Sequence, residues 1–193
     1  MSAPDWAHWR RSLVGCLGTE PRDLPRDPLA TPALAASPLV RALHRRDVRW
    51  ILNGSAVLLT AGVEVVPGDL DVVPELSADN FGRLTDVLAD LDAFPQPVPD
   101  WEHGLSVEEV SRWRPHPAVA NLNSRFLTDY GVLDIVPDLT GSYDQLLRTA
   151  RTAELDGMEL LTADLAPILR RLETSSRPKD QRRWALARHL AHR

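Results

Sequence analysis

The residues best suited to chemistry are Asp69 and Asp71, which flank Leu70 in the run Gly68-Asp69-Leu70-Asp71-Val72-Val73. In an extended strand, positions i and i+2 project to the same face, so the two carboxylates converge while Leu70 turns toward the core. Neighbouring carboxylates repel each other unless a cation lies between them. Mg²⁺ suits such a pair, being hard, oxygen-seeking and commonly shared between carboxylates and substrate phosphates. Ser55 stands fourteen residues before Asp69, in Asn53-Gly54-Ser55, where a strand gives way to a helix. Backbone N–H groups and a hydroxyl at that junction can meet an anion, and Gly54 lets a phosphate approach the main chain. A third acid, Asp134, alternates with Leu133 and Ile135, and an acid in an apolar strand is costly to bury without a partner. Taken singly, each feature has a plainer explanation: an exposed Asp-Leu-Asp turn, an ordinary Gly-Ser turn, an edge-strand acid facing water.

Other chemistries have less support. There is no G-x-x-x-x-G-K-[ST] loop and no G-x-G-x-x-G, the two phosphate-cradling patterns with a clear mechanism. The six histidines (His8, His44, His103, His116, His189 and His192) show no metal-ligand spacing. Cys16 is the single cysteine, which excludes an internal disulfide and a multi-cysteine zinc site. It also has no base nearby in sequence to make it a nucleophile.

The elements that must hold the acids can be read from periodicity. A short helix is expected near Trp6–Leu17, then an irregular proline-bearing arm to residue 38. A helix over Leu39–Arg46 leads into a strand, Val48–Leu52, and two helical turns follow Ser55 and close at Gly62. Leu70–Val73 forms the strand that carries the paired acids. Ser77 caps a helix with Phe81, Leu84, Leu88 and Leu91 at helical spacing. Residues 95–118 read as an insertion, long for a connection. Strands Asn123–Thr128 and Val132–Val136 form a hairpin around Asp129-Tyr130-Gly131. Ser142 caps a helix bearing Tyr143, Leu146, Leu147 and Ala150 on one face. Thr152–Leu155 and Glu159–Leu161 pair around Asp156-Gly157. Asp164 caps a helix with Leu165, Ile168, Leu169 and Leu172, and Pro178 opens the last helix, which runs through Trp184, Leu186 and Leu190.

With 193 residues, 44% hydrophobic and 25% charged, the chain has the make-up of one ordinary domain. We expect residues 1–38 to be an appended arm and 39–193 a single domain. A chain of this length buries about 70% of its unfolded surface and needs no covalent or metal staple. Its net charge of −5 argues against a protein that simply coats nucleic acid. The charge is unevenly placed. Residues 170–193 carry eight basic and two acidic side chains, whereas residues 1–169 carry 14 basic and 25 acidic ones. The basic tail is either a docking face for an anionic partner or a solvated helix face that offsets the acidic body. Lys179, within it, is the only lysine. No apolar run approaches the roughly 18 residues of a membrane span, and the N-terminus lacks a signal peptide's apolar core. The expected setting is the cytoplasm, without membrane association.

Strand, Gly-Ser, helix, a strand with Asp-x-Asp, and a third acid in a later strand together resemble the DNA polymerase β-like nucleotidyltransferase superfamily. The segments that carry the resemblance are ILNGSAVLL, GDLDVVPE with SADNFGRLTDVLADL, and RFLTDYGVLDIVPDL. The stretch from GSYDQLL through ELDGMELLTADLAPIL to RPKDQRRWALARHL resembles its small bacterial branch, which includes abortive-infection type toxins and aminoglycoside nucleotidyltransferases. The resemblance spans residues 40–190. It implies an α/β (α+β) fold with a mixed sheet, helices mainly on one side and a helical C-terminal part. It also implies transfer of a nucleoside monophosphate from an NTP to an acceptor, releasing pyrophosphate with the help of two Mg²⁺ ions.

Position by position, Gly54 and Ser55 match the loop that holds the triphosphate, Asp69 and Asp71 the metal pair, and Asp134 the third acid. Lys179 and Asp180 match a Lys-Asp pair near the active site. The implied partners are a nucleoside triphosphate and an acceptor, either tRNA or another RNA for a toxin, or an aminoglycoside-like small molecule. A cognate antitoxin is implied in the toxin case. Two departures stand out: Val65-Val66-Pro67-Gly68 precedes the acids where relatives carry Arg, Ser or Thr, and Arg170 and Arg171 stand where relatives carry Lys. The first favours the alternative, a catalytically inactive module of the same fold that binds a nucleotide or a partner protein. Retention of all three acids weighs against it.

Overall fold

The computed structural model describes residues 32–96 and 124–191. The expected helix near Trp6–Leu17, the arm to residue 31, residues 97–118 of the insertion and Asn123, the expected start of a strand, lie outside them. The described chain is a mixed α/β structure built on a seven-stranded sheet. In chain order the elements are α1 (Ala36–Arg45), β1 (Trp50–Asn53), a 3₁₀ turn (Gly54–Ala56), α2 (Val57–Thr60), β2 (Asp69–Pro74), α3 (Ala78–Asp90) and β3 (Phe94–Gln96). After residue 123 come β4 (Ser124–Thr128), β5 (Gly131–Ile135), α4 (Tyr143–Leu147), β6 (Arg151–Leu155), β7 (Met158–Thr162), α5 (Leu165–Thr174) and α6 (Pro178–Ala187). The strand order is β3-β4-β5-β2-β1-β7-β6. Contacts β2–β5 and β1–β7 are parallel and the remaining pairs antiparallel.

The sheet centre is apolar because its strands are nearly continuous runs of β-branched and leucine residues. Ile51, Leu52, Leu70, Val72, Val73, Leu133 and Ile135 are all buried in one cluster, closed by Leu39, Leu43, Leu84 and Leu88 from α1 and α3. At about 25 cal/mol per Å² removed from water, this cluster is the main source of folding free energy. The acids of β2 and β5 sit within that frame, so their backbone is held from both sides.

Local chemistry explains most element boundaries. Ser77 accepts a hydrogen bond from the Asn80 N–H at 3.3 Å, the cap expected for α3. Asn80 is fully buried and braces the start of β1, accepting from the Arg49 N–H and donating to the Arg49 and Glu75 carbonyls. Ser142 and Gln145 form a complete capping box on α4, satisfying two orphan donors at once. The β6–β7 turn holds Asp156 at φ 48° and Gly157 at φ 76°, the left-handed pair a two-residue hairpin requires. Gly131, at φ 100°, has no room for a side chain, since a Cβ would lie 2.9 Å from the Leu34 backbone. There the chain entering α1 crosses the β4–β5 hairpin, and the Ala35 N–H donates to the Tyr130 carbonyl.

Several expectations need correction. Helix α1 starts at Ala36 rather than Leu39. Strand β1 starts at Trp50 rather than Val48, because Asp47 turns with φ 49° and the Val48 N–H closes back on Leu43. Asp164 occupies the N-cap position of α5 without making a side-chain cap bond; its carboxylate lies 3.9 Å from Arg151 instead. Leu147, expected on an apolar helix face with Ala150, is exposed, and α4 ends at Leu147 without reaching Ala150. The last helix ends at Ala187, with Leu190 in a 3₁₀ turn beyond it. Among the described residues no helix is long and apolar enough to cross a membrane.

Candidate active site

The sheet register draws the chemistry into one line. Asn53 on β1 lies opposite Asp71 on β2, Asp71 beside Asp134 on β5, and Asp134 opposite Arg125 on β4. Residues in register on adjacent strands share a face, so the row Asn53–Asp71–Asp134–Arg125 projects to one side, and Asp69 joins it two residues before Asp71. Leu70, Leu133 and Phe126 take the alternate positions and are fully buried. The i, i+2 expectation for Asp69 and Asp71 therefore holds, and parallel pairing adds Asp134.

Asn53 shapes the turn beside the row. Its Oδ1 accepts from the Gly54 N–H at 2.7 Å, and its Nδ2 donates to the Thr140 hydroxyl at 2.9 Å. Gly54 has φ 64°, and a Cβ there would overlap the Asp71 carboxylate. Glycine is required twice, by conformation and by space. The 3₁₀ turn that follows buries Ser55, whose Oγ has no hydrogen-bond partner. A buried hydroxyl without a partner is costly, and this one lines the cleft beside the acids.

The acids are strained electrostatically. Asp71 is pushed up to about 8, by burial first and then by the charges of Asp69 and Asp134, with Arg125 and Arg171 opposing. Asp134 is pushed up to about 6, chiefly by burial; Arg125 opposes this, Asp69 reinforces it, and Lys179 opposes it again. Arg125 Nη2 donates to Asp69 Oδ2 at 3.1 Å, and its Nη1 lies 3.6 Å from Asp134 Oδ2. Asp134 Oδ1 is buried and without a partner. Among the described residues no three His, Cys, Asp or Glu side chains close into a finished metal cage. Three carboxylates, an unpartnered oxygen on one and a proton-binding tendency in another still fit a hard divalent cation by donor type. Such an ion would be held by Asp69, Asp71 and Asp134.

A cleft of about 230 Å³ gathers Gly54, Ser55, Asp69, Asp71, Asp134 and Lys179, so every residue singled out for chemistry lines one space. Its far wall is cationic, with Arg171 on α5 and Arg177, Lys179 and Arg183 around the start of α6. Pro178 sits in the first turn of α6, where its fixed φ costs nothing and the helix N-terminus adds partial positive charge. Asp180 is 2% exposed and anchors this wall. It accepts from Ser175 Oγ at 2.7 Å and Arg177 Nε at 2.6 Å, with Arg183 at 3.6 Å. Burial alone would raise its pKa, but these hydrogen bonds and charges outweigh burial and hold it below the usual range. The Lys-Asp pair thus divides its work: Lys179 is exposed to the cleft and Asp180 is turned inward. A larger groove of about 630 Å³ runs along α5 and α6, lined by Leu165, Leu169 and Trp184. It contains none of the three acids.

Sequence reasoning missed Asn53, Arg125 and Arg177. Arg125 was within reach, because a hairpin turning at Asp129-Tyr130 sets residue 125 opposite residue 134. Arg177 was also within reach, three residues before Asp180 at the start of α6. Asn53 carried no such signal; its role depends on Thr140, eighty-seven residues away, which only folding brings near. The chain matches no protein-family model and no curated protein.

Proposed function

We propose that the protein is a Mg²⁺-dependent nucleotidyltransferase of the DNA polymerase β-like fold, moving a nucleoside monophosphate from an NTP to an acceptor. The observation that carries this reading is the alignment of Asp69, Asp71 and Asp134 beside a buried, unpartnered Ser55 hydroxyl, in one cleft with a cationic wall. Three acids and an anion-seeking turn have no structural need of each other; a metal and a polyphosphate bring them together.

The chain's own groups have distinct parts in this reading. The Gly54–Ser55 turn presents a hydroxyl to the phosphates, and Gly54 keeps the backbone close enough to touch them. Lys179, Arg171 and Arg177 face the end of the triphosphate where negative charge grows as pyrophosphate departs. Asp134 Oδ1 is placed to accept the proton of the acceptor hydroxyl or amine. The acceptor's O or N bonds to the α-phosphorus, the bond from that phosphorus to the bridging oxygen breaks, and pyrophosphate carries the electron pair away. Bound to the three acids, Mg²⁺ supplies charge neutralisation at the reacting phosphate.

The acceptor is tested by incubating the protein with α-labelled NTPs and either total RNA or aminoglycosides. Label on RNA assigns the RNA class, and label on the antibiotic the small-molecule class. A second reading, the inactive nucleotide- or protein-binding module, is favoured by one observation: Arg125 supplies Asp69 and Asp134 with a counter-charge from the chain itself. No label on either acceptor class, with NTP binding retained, would support it.

A further inference from the structure

Resting on the metal-binding reading above, we propose that Arg125 and a divalent cation compete for the same carboxylate oxygens, so that Arg125 sets the metal affinity of the site and is released when metal binds. The guanidinium reaches across β5 from β4 to two acids, Asp69 Oδ2 at 3.1 Å and Asp134 Oδ2 at 3.6 Å. These oxygens belong to the acids that would ligate the ion, and one oxygen cannot serve both cations at full strength. Arg125 is 38% exposed, while Asp69 and Asp134 are 19% and 10% exposed. The acids are therefore fixed and the arginine has room to leave. Its reach is also incomplete: Asp134 Oδ1 keeps no partner, and no ion pair joins Arg125 to Asp71 among the described residues. The row is half neutralised by the chain and half open, which suits a cation that enters at Asp71 and displaces the guanidinium from Asp69 and Asp134. Once released, Arg125 remains on the cleft wall among the groups that would meet phosphate.

The test uses Mn²⁺ alone, followed by electron paramagnetic resonance, on the full chain. Arg125→Gln should tighten Mn²⁺ binding by roughly 5- to 20-fold, the scale of losing one or two charge-assisted contacts. Arg125→Lys should fall between the two, because an ammonium keeps the charge but cannot span two acids as a planar fork does. If the effect were long-range charge alone, Lys would match the parent. In the unaltered protein, rotation about the Arg125 Nε–Cζ bond, read by NMR, should accelerate as Mg²⁺ saturates the site. This second measurement decides the matter where the Gln variant does not fold. Equal Mn²⁺ affinity in the parent and both variants, or unchanged rotation at saturating Mg²⁺, overturns the proposal while leaving the metal reading in place. Absence of any Mn²⁺ binding in the parent and in both variants overturns the metal reading and this inference with it.

Discussion

Replacing Asp71 by Asn should make the metal-free protein more stable at neutral and alkaline pH. The native carboxyl is pushed up to about 8 from an ordinary 3.8, so the folded state binds its proton more tightly than the unfolded chain does. Stability from this group is therefore greatest below about pH 4 and is lost as pH rises toward 8. Each pKa unit corresponds to about 1.4 kcal/mol, which sets an upper value near 5 kcal/mol at pH 8. Relaxation of the cleft and entry of water reduce such penalties, leaving about 2–4 kcal/mol. For a chain of this size that is roughly 5–15 °C in Tm. Asn keeps the shape, never ionises, and can donate to Asp69 or Asp134. Thermal unfolding in EDTA should show the variant and parent nearly equal at pH 4.5, with the variant increasingly ahead to pH 8. With excess Mg²⁺ the order should shrink or reverse, because ligand binding stabilises the parent in proportion to RT ln(1 + [L]/Kd). A gap that does not change with pH, or a parent more stable at pH 8 in EDTA, would refute the electrostatic account of the row.

Asp180→Asn should behave in the opposite sense. Its carboxylate is held below the usual range by Ser175 and Arg177, so its contribution is present at neutral pH and lost on acidification; leaving Arg177 and Arg183 unpaired should lower Tm by about 10 °C, on the scale of breaking a buried pair. Gly54→Ala, which forces a side chain into φ 64° and into the Asp71 carboxylate, should cost about 1–2 kcal/mol of stability and displace Asp71 enough to remove measurable transfer, read by label incorporation with circular dichroism as the folding control. Lys179→Ala should slow transfer by about 10²–10³-fold, as for loss of one preorganised charge donor, with only partial recovery in Lys179→Arg. As the only lysine, Lys179 should also be shielded from amine-reactive label by NTP with Mg²⁺, and unchanged labelling would place it outside the site.

Much of the site was legible because strand geometry is local. Alternation at 69, 70 and 71 fixes which residues share a face, and the Asp129-Tyr130 turn fixes the pairing of β4 with β5. What single-sequence reading could not supply is the parallel pairing of β2 with β5, which joins Asp71 to Asp134 across a span of sixty-three residues. No turn dictates that register; the common core dictates it. Helix ends were harder. Ser77 and Ser142 cap as expected because their side chains reach the N3 amide, whereas the Asp164 carboxylate lies near Arg151 at the start of β6. Lys179 and Asp180 were expected as a pair near the active site; both line the cleft, but Asp180 is buried and acts as an internal anchor.

The central claim is that the acid row performs metal-dependent nucleotidyl transfer, and paired labelling tests it most directly. The protein is incubated with an NTP labelled at the α-phosphate or at the γ-phosphate, with Mg²⁺ and total RNA or aminoglycosides as acceptor. The account predicts label on the acceptor from the α position only, pyrophosphate released in equal amount, and both signals lost in Asp69→Asn and in EDTA. Transfer from the γ position, or α-label transfer that persists in Asp69→Asn, would contradict it.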